Sequence, residues 1–224
     1  MEPQRRSLVI GVFAVLALVG FAALTILIRL VPSNTPDGAI LEWATDVHAP
    51  GLRGFMEGIS WLTDLQPRVA LAIPALAALV VLRQWVALAA TGVAFLVLVG
   101  PIEALDWGSG VVVGRIRPNG APFLSFPSGH TLGTVVMFGF IVYLAARLPV
   151  DRITRRVVIA ASLVPLLAVG PSRVYVGVHW PSDVLAAYLL GTAALAGFIL
   201  VYEAAAVRLV EMAARRRTRA GKLL

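Results

Sequence analysis

Polar residues able to do chemistry gather in three short segments of an otherwise apolar chain. Residues 114–118 read Gly-Arg-Ile-Arg-Pro, residues 127–130 read Pro-Ser-Gly-His, and residues 172–183 contain a Ser-Arg pair, a histidine and an aspartate. Arginine side chains offer forked donors that match phosphate oxygens, and an imidazole can act as a nucleophile or as a proton donor. Together these residue types indicate chemistry on a phosphoryl group.

The third segment has the most informative spacing. His179 and Asp183 are four residues apart, so on a helix they share one face. A carboxylate in that position is expected to fix the imidazole tautomer and to stabilise its cation. Pro181 suits the first turn of a helix, and Ser128 and Gly129 precede another apolar run. Both places therefore predict a helix N-terminus, whose free N–H groups favour anions.

The composition of the 224-residue chain indicates a membrane protein. Hydrophobic residues make up 59% and charged residues 14%, whereas soluble domains carry about 25% charged residues. The same values exclude a disordered chain, which needs low hydrophobicity and high charge. The chain contains no cysteine, which excludes disulfides, thiolate metal sites and a cysteine nucleophile.

Six uncharged runs predict an all-α bundle of six transmembrane helices, because about 20 apolar residues span a bilayer. The runs cover residues 8–28, 69–82, 85–102, 131–146, 157–172 and 184–202, and the second extends over 65–82 when Arg68 is counted with it. The second run reaches sufficient length only if Arg68 extends to the membrane surface. We expect one domain over residues 1–224, with residues 1–7 and the basic tail 212–224 in the cytoplasm.

Apolar residues between the first two runs recur with helical spacing: Leu52, Phe55, Met56, Ile59 and Leu62. This spacing predicts short interfacial helices there. A helix packed on the bundle is the alternative interpretation.

Basic residues indicate how the bundle is oriented. Of the 19 Lys and Arg residues, 13 fall at the two termini and in the loops after the second and fourth runs. Basic loops stay in the cytoplasm, so both termini are expected inside and all three polar segments outside. The net charge of +7 therefore reports topology, and we expect no nucleic-acid partner.

The three segments resemble the motifs of the type 2 phosphatidic acid phosphatase superfamily, which also contains bacterial class A acid phosphatases and vanadium haloperoxidases. The family pattern is K-x6-R-P, then P-S-G-H, then S-R-x5-H-x3-D. The chain has Arg117 and Pro118, and it keeps the second and third motifs intact over residues 127–130 and 172–183. Gly110 stands at the position of the family lysine. The resemblance covers most of the chain.

The resemblance implies a role for each motif residue. His179 attacks phosphorus and forms a phosphohistidine, Asp183 orients His179, and His130 protonates the leaving oxygen and then activates water. The residues expected to hold the phosphate are Arg117, Ser128, Gly129 and Arg173. Arg115 either replaces the lysine charge there or anchors the chain at the membrane interface. No metal or other cofactor is expected. Asp64 and Glu103 are expected to be solvated, as is His48, and Asp106 is assigned no role.

The implied function is an integral lipid-phosphate phosphatase in the cell membrane, with its active site on the extracytoplasmic face. Undecaprenyl diphosphate is the favoured substrate, with phosphatidic acid or phosphatidylglycerol phosphate as other candidates. The alternatives are a lipid phosphotransferase and, because of Gly110, a non-catalytic protein that binds or transports a lipid phosphate. The same residues would suit vanadate-dependent haloperoxidase chemistry, but a membrane setting argues against it.

Overall fold

The chain folds as a bundle of α-helices joined by short turns. The computed structural model describes residues 3–31 and 35–220, so the first two residues, three residues of the loop after the first helix and the end of the basic tail lie outside it. Eight helices form the described part: α1 Pro3–Leu30, α2 Thr35–Asp46, α3 Leu52–Leu62, α4 Leu65–Val81, α5 Trp85–Val113, α6 Gly129–Arg147, α7 Arg152–Tyr175 and α8 Pro181–Ala220.

Helices α1, α5, α6, α7 and α8 are each long and apolar enough to cross a membrane. Helix α4 has only 17 residues, but it follows α3 at a bend of 66°, and the pair counted together is a sixth candidate, with the form of a broken span or a re-entrant loop. The prediction of an all-α membrane bundle is thereby confirmed. The short helices predicted before the second span are α2 and α3, and α3 packs against α7, as the alternative interpretation had it.

Helix α5 extends well beyond the predicted third span. The uncharged run ended at residue 102, whereas the helix continues through Glu103 and Asp106 to Val113. An absence of charge marks the part of a helix in the membrane core, and it does not mark the end of the helix. That end lies at Gly114, where φ is 64° and the N–H donates to the Gly110 carbonyl at 2.8 Å, a left-handed cap that favours glycine.

Helix α8 lies at the centre of the bundle, in contact with α1, α5 and α6. Ala186, Ala187 and Leu190 on it are at most 1% exposed. The outward faces of the surrounding helices carry large apolar residues, such as Leu96 of α5, which is 81% exposed. Such faces are unfavourable in water and suit contact with lipid chains.

The end of the bundle away from the polar segments is tied together by one carboxylate. Glu203 of α8 pairs with Arg6 of α1 at 2.7 Å and with Arg147 of α6 at 3.0 Å. It also accepts a hydrogen bond from the Tyr143 hydroxyl at 2.7 Å. The N-terminus of α1, the C-terminal end of α6 and the second half of α8 therefore lie at the same end.

A tight hairpin between α5 and α6 carries the first two polar segments. Ile116 and Leu124 form an isolated antiparallel bridge, and the Ser125 N–H donates to the Arg115 carbonyl at 2.8 Å. The indole N–H of Trp180 donates to the Ile116 carbonyl at 3.0 Å. This bond fastens the hairpin to the chain just before α8, which carries the third segment.

Candidate active site

The structure brings the three polar segments together at one end of the bundle. The Ser128 N–H of the second segment donates to the Asp183 carbonyl of the third at 3.3 Å. Arg115 of the first segment donates to the side chains of Ser182 at 2.8 Å and Asp183 at 3.4 Å. The three segments that the sequence predicts on one face therefore do lie together.

His179 is buried with one ring nitrogen held and the other unpartnered. The residue is 2% exposed, and its Nδ1 lies 2.8 Å from the carbonyl of Ser125. A carbonyl can only accept, so we assign the proton to Nδ1, which leaves the lone pair on Nε2. Nε2 is buried and has no hydrogen-bond partner within the described part of the chain. A neutral imidazole with a bare, buried nitrogen is the form a nucleophilic histidine requires.

Asp183 lies beside His179 but does not form the expected hydrogen bond with it. Its Oδ2 is 3.8 Å from His179 Nδ1, too far for a hydrogen bond, and it accepts instead from the Trp180 backbone N–H at 3.0 Å. The expectation that Asp183 fixes the imidazole tautomer is therefore corrected, because the Ser125 carbonyl makes that contact. The carboxylate remains close enough to stabilise positive charge on the ring.

His130 is held by the carboxylate of Asp64, which lies outside the three motifs and was expected to be solvated. Its Nε2 lies 2.7 Å from Oδ1 of Asp64, with side-chain exposures of 26% and 46%. Asp64 occupies the N-cap of α4, at the bend between α3 and α4. Nothing in the sequence pattern links two residues 66 positions apart, and only the bend brings them together.

The two helix N-termini of the site differ in whether their donors are free. Ser128 is the N-cap of α6, and its side chain accepts no capping hydrogen bond. The start of α8 is satisfied by carboxylates, since Asp183 accepts from Trp180 and Asp37 accepts from the Ser182 N–H at 2.8 Å. Of the two predicted anion sites, the N-terminus of α6 is therefore the open one.

Arg117 and Arg173 supply positive charge to the site, and the Arg173 carbonyl accepts from the His179 backbone N–H at 3.3 Å. Arg173 is 7% exposed and donates to the hydroxyl of Ser60 on α3 at 2.5 Å, while Arg117 lies over the Phe123 ring at 5.6 Å. The Nε atoms of both arginines are buried without a hydrogen-bond partner in the described residues. Unsatisfied buried donors are costly, and a phosphate oxygen would satisfy them.

Comparisons with known proteins agree with this arrangement of residues. A model of the PAP2 superfamily matches residues 17–206. The chain belongs to the PAP2 superfamily. Membership confirms the resemblance seen in the three motifs, and with it the prediction that the chain is a phosphatase.

The chain is similar to a curated protein and a crystal structure from Bacillus subtilis, and it shares its fold with a structure from Aquifex aeolicus. Phosphatidylglycerophosphatase B of Bacillus subtilis (strain 168) is 31% identical over 166 residues, which are 70% of this chain and 79% of that protein. The crystal structure of a transmembrane PAP2 type phosphatidylglycerolphosphate phosphatase from Bacillus subtilis is 30% identical, with a TM-score of 0.68 over 84% of this chain and 93% of that one. The structure of Aquifex aeolicus LpxE shares the fold, with a TM-score of 0.54 at 18% identity over 76% of this chain and 97% of that one.

In this PAP2 protein, Arg115 is engaged with carboxylates. Its Nη2 pairs with Oδ2 of Asp37 at 2.7 Å, and its Nη1 donates to Ser182 and Asp183. The Ser182 hydroxyl donates to the same Asp37 oxygen, and the Arg115 guanidinium lies 4.4 Å from the ring centre of Trp180. Both terminal nitrogens are occupied, so this geometry favours a structural role over the expected phosphate contact.

Gly110 stands where the PAP2 pattern has lysine, and the packing explains the glycine. A Cβ at this position would lie 2.7 Å from the carbonyl oxygen of Phe126 and 3.5 Å from the Leu124 side chain. The last turns of α5 therefore pack directly on the hairpin that leads into α6. A lysine would need this backbone to move, because a backbone oxygen cannot turn aside as a side chain can.

Two depressions adjoin the site. A cavity of about 490 Å³ is lined in part by Ser60, Asp64 and Arg173. A groove of about 370 Å³ runs between α4, α5 and α6, lined almost throughout by apolar side chains, with Arg68 and Glu103 as its charged residues. Asp64 and Arg68 lie one turn apart, so the two depressions flank the start of α4.

Proposed function

We propose that this chain hydrolyses the phosphate group of a membrane lipid, with His179 as the nucleophile. The observation that carries the proposal is the buried, unpartnered Nε2 of His179. Unpartnered arginine nitrogens from Arg117 and Arg173 and the open N-terminus of α6 accompany it. This combination offers a nucleophile and a set of donors that can stabilise an anion.

In the first step, Nε2 of His179 forms a bond to phosphorus while the bond to the leaving oxygen breaks. Because Nδ1 keeps its proton on the Ser125 carbonyl, the phosphorylated ring carries positive charge, which the nearby Asp183 carboxylate stabilises. The leaving oxygen takes a proton from His130. Asp64 holds Nε2 of His130, so Nδ1 is the nitrogen that delivers the proton.

In the second step, water attacks phosphorus and the bond to His179 breaks. Neutral His130 takes the proton of that water, which restores both histidines and releases phosphate. The same imidazole thus acts first as an acid and then as a base.

The apolar groove supports a lipid substrate. It begins at Arg68 beside the site and continues along membrane-facing helices, so a headgroup at the histidines would leave room for a chain in the groove. The relative at 31% identity is a phosphatidylglycerophosphatase. We therefore place phosphatidylglycerol phosphate ahead of undecaprenyl diphosphate, and we place the site on the extracytoplasmic face because of the distribution of basic residues.

Phosphate release from purified lipid phosphates, measured in the presence of EDTA, tests the proposal. We expect release from at least one of phosphatidylglycerol phosphate, phosphatidic acid and undecaprenyl diphosphate. Changing His179→Ala should abolish it, and His130→Ala should reduce it at least about a hundredfold. His48→Ala is the matched control, because this histidine is exposed and lies outside the three motifs, with its Nδ1 at the Asp46 carbonyl. No release by folded protein, or equal rates for His179→Ala and the unaltered chain, would overturn the proposal.

A further inference from the structure

The PAP2 pattern places a lysine charge near the phosphate. In this chain neither position 110 nor Arg115 is able to supply that charge. Gly110 has no room for a side chain beside the Phe126 carbonyl. Arg115 is bound to Asp37, Ser182 and Asp183 through both terminal nitrogens. A third cation near the site would have to come from outside the three motifs.

Arg68, in the first turn of α4, is such a cation. Within the described part of the chain its guanidinium makes no hydrogen bond or close ion pair, and its Nε is buried without a partner. Asp64 lies one turn before Arg68 at the N-cap of α4, and Glu103 lines the same apolar groove. Neither carboxylate lies within ion-pair distance, so the guanidinium is not neutralised by direct contact.

The position of Arg68 depends on a glycine of α6. Its Nη1 lies 1.6 Å from where a Cβ of Gly133 would be, so the guanidinium fills the space that any other residue would take. Gly133 follows His130 by three residues, and residues at this spacing share one helix face. The guanidinium therefore packs on the face of α6 that carries His130. The prediction that it extends to the membrane surface is corrected.

The first turns of α4 and α6 therefore meet through two contacts. Asp64, the N-cap of α4, holds His130 at 2.7 Å, and Arg68, one turn later, covers Gly133. Arg68 also lines the apolar groove. A free guanidinium thus lies between the histidine that serves the leaving oxygen and the space suited to a lipid chain.

We propose that Arg68 binds the substrate phosphate and supplies the charge that the PAP2 lysine supplies elsewhere. The inference rests on the proposed function, and it adds a phosphate ligand from α4 to those of the three motifs. It also explains the glycine at position 133, because the absence of a side chain there lets the Arg68 guanidinium approach α6.

Inhibition by orthovanadate, a phosphate mimic, measures the affinity of the site directly. In the full-length protein reconstituted in lipid, Arg68→Gln should weaken vanadate inhibition and lower kcat/KM, each by about a hundredfold, the effect of losing one charged donor at a developing charge. Arg68→Lys should retain most of the affinity. Arg29→Gln, which removes an exposed arginine at the end of α1, is the matched control and should leave both values unchanged.

Gly133→Ala gives a second test that keeps the arginine. Its new methyl group displaces the guanidinium, so it should also weaken vanadate inhibition. Adding Gly133→Ala to Arg68→Gln should cost little more, because both changes remove the same contact. If Arg68→Gln fails to fold, the comparison of Gly133→Ala with the unaltered chain still decides the question.

The outcomes separate the inference from the proposed function. If the unaltered chain releases lipid phosphate but Arg68→Gln and Gly133→Ala keep full vanadate affinity, Arg68 does not bind phosphate and the phosphatase assignment stands. If the unaltered chain releases no phosphate, the proposed function fails. Direct binding of labelled vanadate to the same variants then still shows whether Arg68 holds the anion, and equal binding would overturn the inference.

Discussion

The two histidines of the site are held by different kinds of acceptor, and the difference matches their roles. His179 donates from Nδ1 to a backbone carbonyl, that of Ser125, and its Nε2 has no partner within the described residues. His130 lies against the carboxylate of Asp64, a partner that can orient the ring while it gives up and takes back a proton. The nucleophile and the acid are thus distinguished by their partners.

Asp64→Asn tests the role of that carboxylate. An asparagine keeps the size of the side chain but no longer stabilises the protonated ring, so we expect kcat to fall about tenfold. The effect should vanish when Asp64→Asn is added to His130→Ala, since residues that act through one group are not additive. Steady-state rates of the four proteins measure this. Equal losses from Asp64→Asn with and without His130 would show that Asp64 acts elsewhere.

At the residue scale, the sequence predicts which groups react, and these assignments remain part of the proposal, but it contains no signal for the groups that hold them. The motif spacing was sufficient to single out His130, His179, Arg117 and Arg173. The Ser125 contact was beyond reach because a backbone carbonyl has no sequence signature. Asp64 and Arg68 lie more than 60 positions before His130, and single-sequence patterns contain no signal for contacts at that separation.

At the scale of elements, the start of α8 acts as a junction for three parts of the chain. Asp37 of α2, Arg115 of the hairpin and the first turn of α8 share one network of hydrogen bonds and ion pairs. Asp37 is 5% exposed and Asp183 is fully buried. This network fixes the hairpin, and with it Ser125 and Ser128, relative to His179.

Arg115→Ala should therefore affect stability more than turnover. Removing the cation leaves the buried Asp37 and Asp183 without compensation, at a cost of about 3 kcal/mol. We expect a clearly lowered melting temperature in detergent, with kcat/KM of the folded fraction changed less than about threefold. Arg29→Ala serves as the control. An unchanged melting temperature with a large loss of vanadate affinity would instead make Arg115 a phosphate ligand.

The helices themselves were largely predictable, and their ends were less so. Long uncharged runs mark α1, α6, α7 and α8, because about 20 apolar residues must cross the bilayer. The end of α5 was missed since Glu103 and Asp106 interrupt the run without breaking the helix. The packing of α3 on α7 and its bend into α4 depend on tertiary contacts, for which the sequence pattern holds no signal.

At the scale of the whole molecule, the two ends of the bundle have different chemistry. One end carries the histidines and the arginines of the three motifs, and the other is tied by Glu203 to Arg6 and Arg147. The basic residues of the predicted cytoplasmic segments gather at the Glu203 end. We therefore expect that end to face the cytoplasm.

Single cysteines report this orientation, because the chain has none of its own. Glu42→Cys lies on exposed α2 near the site, and Arg152→Cys lies at the exposed start of α7 at the opposite end. On intact cells an impermeant maleimide should label Glu42→Cys at once and Arg152→Cys only after permeabilisation. The reverse pattern would place the site in the cytoplasm.

Trapping the covalent intermediate tests the central claim most directly. The purified protein is mixed with a ³²P-labelled lipid phosphate that it hydrolyses, quenched in base within milliseconds, and digested for peptide mapping. A phosphoramidate on His179 is the predicted result, with the label absent in His179→Ala and longer-lived in His130→Ala, which lacks the base for the second step. Label on another residue, or hydrolysis at the normal rate by His179→Ala, would contradict the account.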